Sequence, residues 1–117
     1  MPLSLQLYSM RNASDQDQVL KACAAAGVGC VEGYAAVMQD VSAFQNALAE
    51  TGLQMPSAHI ALDEIDSDPM GVINRVKPLG VTKVFAPYLD ADKRPKNADG
   101  YKAIAKLLAE RGKIFAD

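Results

Sequence analysis

The amino-acid sequence predicts an α/β protein made of four consecutive strand–helix units, forming one domain over residues 1–117. Three observations carry this expectation. A helix-stopping glycine followed at once by β-forming residues recurs at Ala26-Gly27-Val28, Thr51-Gly52-Leu53 and Leu79-Gly80-Val81. Glycines 27, 52 and 80 lie 25 and 28 residues apart, which is about the length of one βα unit. The intervening segments place apolar residues on one face at helical spacing.

Taken in order, the strands are expected at Leu3 to Tyr8, Val28 to Tyr34, Leu53 to His59 and Val81 to Tyr88. The first helix is capped by Ser14, carries Asp15 and Asp17 in its first turn, and aligns Val19, Cys23 and Ala26. The second starts at Asp40 with Val41, Phe44 and Leu48 on one side. Asp68 precedes Pro69, a favoured first helical residue, and opens the third helix with Met70, Ile73 and Val76. The fourth runs from about Asn97 with Ile104, Leu107, Leu108 and Arg111 in register. Its end has two readings. Gly112 stops it before a stub of a fifth strand at 113–116, or the helix continues through Ile114 and Phe115.

Short links between strands and helices require right-handed crossovers to parallel neighbours. Units wound one way produce a curved parallel sheet with helices on one side, which is half of a (β/α)8 TIM barrel. A doubly wound sheet is the alternative, and it needs a reversal of strand order. A full barrel takes at least about 200 residues, so a chain of 117 is expected to be a truncated barrel or a fragment.

Composition narrows the function. Half of the residues are apolar and the formal charge is −2, which argues against disorder and against a nucleic-acid partner. The two cysteines, Cys23 and Cys30, form neither a disulfide framework nor a Cys-x-x-Cys motif and suit a reducing compartment. The start shows no signal-peptide pattern, and no apolar run approaches the roughly twenty residues of a membrane span. A cytoplasmic protein with no membrane partner is expected.

In parallel sheets, chemistry collects at the C-terminal ends of strands. There the sequence places Gln6, Tyr8 and Ser9, with Arg11 beyond, then Glu32, then Ser57 and His59, then Pro87 and Tyr88. Glu32 and His59 are the candidate catalytic pair, because a carboxylate beside an imidazole suits proton transfer or metal binding. Structural readings stand beside these: His59 as a hydrogen-bonded framework residue, Glu32 paired with Arg11, and Gln6 filling a polar layer. Asp63, Glu64, Asp66 and Asp68 read as cap and solvated loop, since the cluster lacks the spacing of a calcium loop. Lys93 and Arg94 lie in a mixed-charge loop that forms a rim or binds a phosphate. Phosphate loops, dinucleotide fingerprints, nucleophile elbows and zinc-protease motifs are all missing from the sequence.

The segments Leu5-Gln6-Leu7-Tyr8-Ser9-Met10-Arg11, Gly29-Cys30-Val31-Glu32-Gly33, Gly52-Leu53-Gln54-Met55-Pro56-Ser57-Ala58-His59 and Leu79-Gly80-Val81-Thr82-Lys83-Val84-Phe85-Ala86-Pro87 resemble the first four strands of the sugar phosphate isomerase/epimerase family. These are the xylose-isomerase-like TIM barrels. The resemblance covers this whole chain and the first half of the family's usual length. It implies a small sugar or sugar phosphate substrate, proton transfer next to a carbonyl, and a divalent metal (Mn, Mg, Co or Zn) in the full-length family. The metal's carboxylate and histidine ligands usually come from the later strands, so the resemblance implies a metal for the full-length family and leaves open whether this chain by itself holds one. The resemblance assigns Gln6 and Tyr8 to substrate binding, Glu32 and His59 to catalysis, and His59 as the one residue to test for metal.

A second function class stays open: a non-catalytic half-barrel that forms a homodimer through its open sheet edges. That expectation pictures an exposed inner layer of Leu5, Val31, Met55 and Phe85 or their neighbours, covered when a second copy completes eight strands.

Overall fold

The computed structural model describes residues 3–116. Four parallel strands lie in the order β1-β2-β3-β4: β1 (Ser4–Gln6), β2 (Cys30–Tyr34), β3 (Gln54–His59) and β4 (Lys83–Phe85). The order contains no reversal, so these strands follow the barrel pattern and not the doubly wound one. Helices α1 (Gln16–Ala25), α2 (Val41–Thr51), α3 (Leu62–Ser67), α4 (Pro69–Val76) and α5 (Ala98–Ala116) connect and follow them. None of the described helices is long and apolar enough to cross a membrane.

The helix boundaries follow from local chemistry. The Asp15 carboxylate accepts from the backbone N–H of Asp17 and Gln18, so the cap of α1 is Asp15 and not the expected Ser14. Asp40 caps α2 through the Ala43 N–H. Gly52 and Gly80 close their helical segments at φ 69° and 82°, a left-handed conformation that costs other residues about 1 kcal/mol or more. The expected third helix is α4, which Asp68 caps ahead of Pro69. The segment read as solvated loop before it is corrected to a separate short helix, α3, carrying Asp63, Glu64 and Asp66, which ends where Asp68 leaves helical geometry. The fourth helix continues through Gly112 to Ala116, which excludes a fifth-strand stub over 113–116.

The first and last strands are shorter than their sequence patterns. The side chain of Gln6 accepts from the Tyr8 backbone N–H, and the chain turns into a 3-10 segment over Leu7–Met10. Tyr8 therefore sits on a turn beyond β1 and shares no strand face with Gln6. β4 ends at Phe85, ahead of Pro87, whose ring lacks a ladder donor.

Alternation along the strands sorts the two faces. Val31, Met55 and Ala58 pack under the helices with Leu20, Cys23, Phe44, Leu48, Val72 and Val76. At Gly33 a Cβ would sit 2.5 Å from Met55 Sδ, so glycine there lets Met55 and Met38 close over the sheet. The opposite, concave face presents Ser4, Gln6, Glu32, Ser57, Lys83 and Phe85. The expected apolar inner layer is corrected accordingly: Val31 and Met55 are buried on the helix side, and Leu5 packs there too. Of the four expected residues only Phe85, 47% exposed, belongs to the open face, whose other lining side chains are polar apart from Pro56.

Candidate functional site

Strand register brings the polar residues of three strands into one group. Gln6 stands opposite Glu32, Glu32 opposite Ser57, and Tyr34 opposite His59. β3 carries one extra residue between its pairings at Gln54 and Ser57, a bulge located at Met55-Pro56. Without it, Ser57 and His59 would face the helices, because a one-residue slip turns every side chain over.

The group is a continuous run of hydrogen bonds. His59 Nε2 lies 2.9 Å from Glu32 Oε1, and Ser57 Oγ donates to Glu32 Oε2 at 2.6 Å. Gln6 Nε2 lies 2.7 Å from His59 Nδ1, while Gln6 Oε1 accepts from the Tyr8 backbone N–H. The side chains of His59 and Glu32 are 28% and 19% exposed, so the network is shielded but wet at its edge.

Beyond the strand ends this network opens into a cleft of about 620 Å³, a volume typical of small-molecule sites. Gln6, Tyr8, Tyr34, His59 and Tyr88 line it, with Leu62, Leu89 and Pro87 supplying apolar wall. Glu32 lies behind His59 and lines the concave inner face instead. Tyr8 and Tyr34 meet edge to face with centroids 5.4 Å apart, and His59 meets Phe85 the same way at 6.2 Å.

The charges around the cleft are already engaged. Arg11 does not pair with Glu32; it donates to the Tyr8 carbonyl at 3.0 Å and its guanidinium lies 4.4 Å from the Tyr8 ring centroid. Lys93 pairs with Asp63, with Asp90 3.7 Å away. Its ammonium is held above its ordinary value by the hydrogen bond and charge of Asp63, with Asp90 and Asp92 adding to the effect. Arg94 donates to the Leu89 carbonyl at 2.8 Å and reaches over the Tyr88 ring. The acidic cluster likewise separates into single duties: Glu64 pairs with Arg75 at 2.5 Å, Asp66 with Arg111 at 2.7 Å, and Asp68 caps α4.

The structure thus brings together Gln6, Tyr8, Glu32 and His59 at one end of the sheet. It adds two residues that were not singled out as site residues. Ser57 holds the second oxygen of Glu32, and its place opposite Glu32 depends on the bulge, which no periodic pattern signals. Tyr34 shares the cleft with Tyr8, and its position at the end of a strand was the available clue.

Both nitrogens of His59 and both oxygens of Glu32 have partners. Among the described residues no group of three or more histidine, cysteine, aspartate or glutamate side chains converges on a point. A divalent cation needs several such donors, so the side chains described here do not fit one by themselves.

No family model matches the chain, and no curated protein does either. A crystal structure of a sugar phosphate isomerase/epimerase from Parabacteroides distasonis is similar in fold, with a TM-score of 0.74 and 20% sequence identity. The likeness covers 98% of this chain and 47% of that one, so this chain spans about half the length of that neighbour. The fold is that of the N-terminal half of an isomerase/epimerase TIM barrel.

Proposed function

We propose that this chain forms the substrate-facing half of a cytoplasmic isomerase or epimerase acting on a sugar or sugar phosphate, with proton transfer next to a carbonyl as its chemistry. The observation that supports it best is the hydrogen-bonded pair of His59 and Glu32 behind a tyrosine-lined cleft at the strand ends. Tyr8 and Tyr34 offer flat apolar edges to sugar C–H groups, and Gln6 offers an amide to sugar hydroxyls. In the step itself the bond between a proton and the carbon beside the carbonyl breaks. The imidazole takes the proton, and the electron pair forms the carbon–carbon double bond of an enediolate whose charge rests on the former carbonyl oxygen. Glu32 against Nε2–H stabilises the imidazolium that results, as an oriented carboxylate does behind any general-base histidine. Return of the proton to the former carbonyl carbon, with the adjacent hydroxyl's proton passing to the enediolate oxygen as that hydroxyl becomes the new carbonyl, isomerises the sugar; delivery of a proton to the opposite face of the original carbon epimerises it.

Binding tests this reading in the chain as it stands. Saturation-transfer NMR with a free ketohexose and with its phosphate ester is expected to carry magnetisation from tyrosine ring protons to the sugar C–H groups, and His59→Ala is expected to weaken it. An unsaturated sugar spectrum at millimolar concentrations of both ligands overturns the reading. Little or no turnover is expected from the 117 residues alone, because the acid for the opposite face and a closed metal shell are not among the described side chains.

One observation favours a second reading, a half-barrel that self-associates. β1 and β4 are both outer strands of a parallel sheet, and each leaves a row of backbone donors and acceptors unpaired on its outer side among the described residues. A twofold axis along the barrel axis sets β4 of one copy beside β1 of the other and completes eight parallel strands.

A further inference from the structure

The orientation of the Gln6 amide decides which nitrogen of His59 holds the proton. Amide oxygen and nitrogen are assigned from their partners, and here the partners leave one assignment. The Tyr8 backbone N–H can only donate, so the atom of Gln6 that meets it is the acceptor Oε1. The amide nitrogen then faces His59 Nδ1 at 2.7 Å, and two donors cannot share a hydrogen bond, so Nδ1 carries a lone pair. The remaining nitrogen, Nε2, faces the Glu32 carboxylate at 2.9 Å and therefore carries the proton. Each link is fixed by the one before it, starting from a backbone group in the Leu7–Met10 turn.

We infer that Gln6 is a positioning residue: anchored by the Tyr8 N–H, its amide holds His59 in the Nε2–H tautomer and keeps Nδ1 as the ring's proton-accepting atom beside the cleft. The catalytic meaning of this arrangement rests on the isomerase reading above. It goes beyond that reading in separating two duties of Gln6, which lines the cleft and also sets the state of the base. Nδ1 accepts a substrate proton only when the substrate takes the place of the Gln6 amide at that atom. The Gln6 side chain thus keeps the base occupied until a ligand arrives.

His59 is the chain's single histidine, so one imidazole ring reports the answer. In ¹⁵N-labelled protein at pH 8, where an ordinary imidazole is neutral, long-range ¹H–¹⁵N spectra are expected to show Nε2 protonated and Nδ1 unprotonated. Gln6→Glu puts an acceptor against the same atom, and Nδ1 is then expected to gain a proton at that pH. Gln6→Leu removes the cover, and carbethoxylation of His59 by diethyl pyrocarbonate is expected to speed up by as much as about tenfold, the weight of one ordinary hydrogen bond. A wild-type ring protonated at Nδ1, an unchanged Nδ1 in Gln6→Glu, or a wild-type reaction rate in a folded Gln6→Leu overturns the inference. Gln6→Glu is nearly isosteric and carries the test if Gln6→Leu does not fold. The two proposals fail separately. The expected tautomer in a chain that binds no sugar overturns the isomerase reading alone, and sugar binding with the other tautomer overturns this one alone.

Discussion

Replacing Glu32 by leucine removes the acceptor of two donors at once, His59 Nε2–H at 2.9 Å and Ser57 Oγ–H at 2.6 Å. A hydrogen bond to a charged group contributes about 1.5–3 kcal/mol. Water reaches the edge of this network, since His59 is 28% exposed, so the lower end applies to each bond. The expected cost of Glu32→Leu is therefore roughly 3 kcal/mol. For a domain of this size that lowers Tm by about 10 °C. Glu32→Gln behaves differently. Its oxygen still accepts from His59, and the Ser57 hydroxyl can turn to accept from its amide, so only the charge assistance is lost, about 1 kcal/mol and some 4 °C. Thermal unfolding followed by circular dichroism measures both, with urea unfolding checking that the m-value stays constant. Buried ion pairs are sometimes matched or bettered by apolar replacements. A Glu32→Leu chain at least as stable as Glu32→Gln refutes the claim that this network holds the strand ends together.

Other expectations follow from single features. Leu20→Ala, at a side chain 1% exposed among α1 and the sheet, should cost about 3 kcal/mol in urea unfolding, and Asp15→Ala should cost about 1 kcal/mol through the lost cap of α1. Burial pushes the Cys23 thiol up, against a smaller lowering by a backbone hydrogen bond, so iodoacetamide should alkylate it far more slowly in the folded than in the urea-unfolded chain. The sign of the pH effect follows: above the unfolded thiol's pKa the folded state binds more protons, so this contribution to stability is whole at neutral pH and is lost as pH rises into the alkaline range, as urea midpoints at increasing pH will show. Sedimentation equilibrium should find a concentration-dependent dimer if β1 and β4 pair between copies, and a compact monomer at high concentration counts against the self-association reading. The polar inner face weakens the apolar drive for that closure, so the edges must supply most of it.

Much of the fold is legible in the sequence because its determinants are local. The stops at Gly52 and Gly80 require left-handed backbone, and glycine adopts that cheaply. Asp40 and Asp68 cap helices from one residue outside them, and the apolar stripe of α2 states which face it buries. The order of polar residues at strand ends also follows from local pattern, and it led to Gln6, Tyr8, Glu32 and His59. What the sequence does not carry is which side of the sheet each residue faces and what it meets there. β1 ends where the Gln6 side chain folds back to accept from the Tyr8 N–H at the start of the 3-10 turn, a contact that strand propensity does not signal. The bulge at Met55-Pro56 shifts the pairing of β3 by one residue, and period-two reasoning has no signal for it. That shift turns Ser57 and His59 to the open face, while Met55 keeps its place in the core beside Val31. The strand order and the tautomer of His59 depend on contacts between residues far apart in the chain: Gln6 and His59 are separated by 53 positions. Local backbone preference set the elements of this protein, and only their packing decided which side chains form a site.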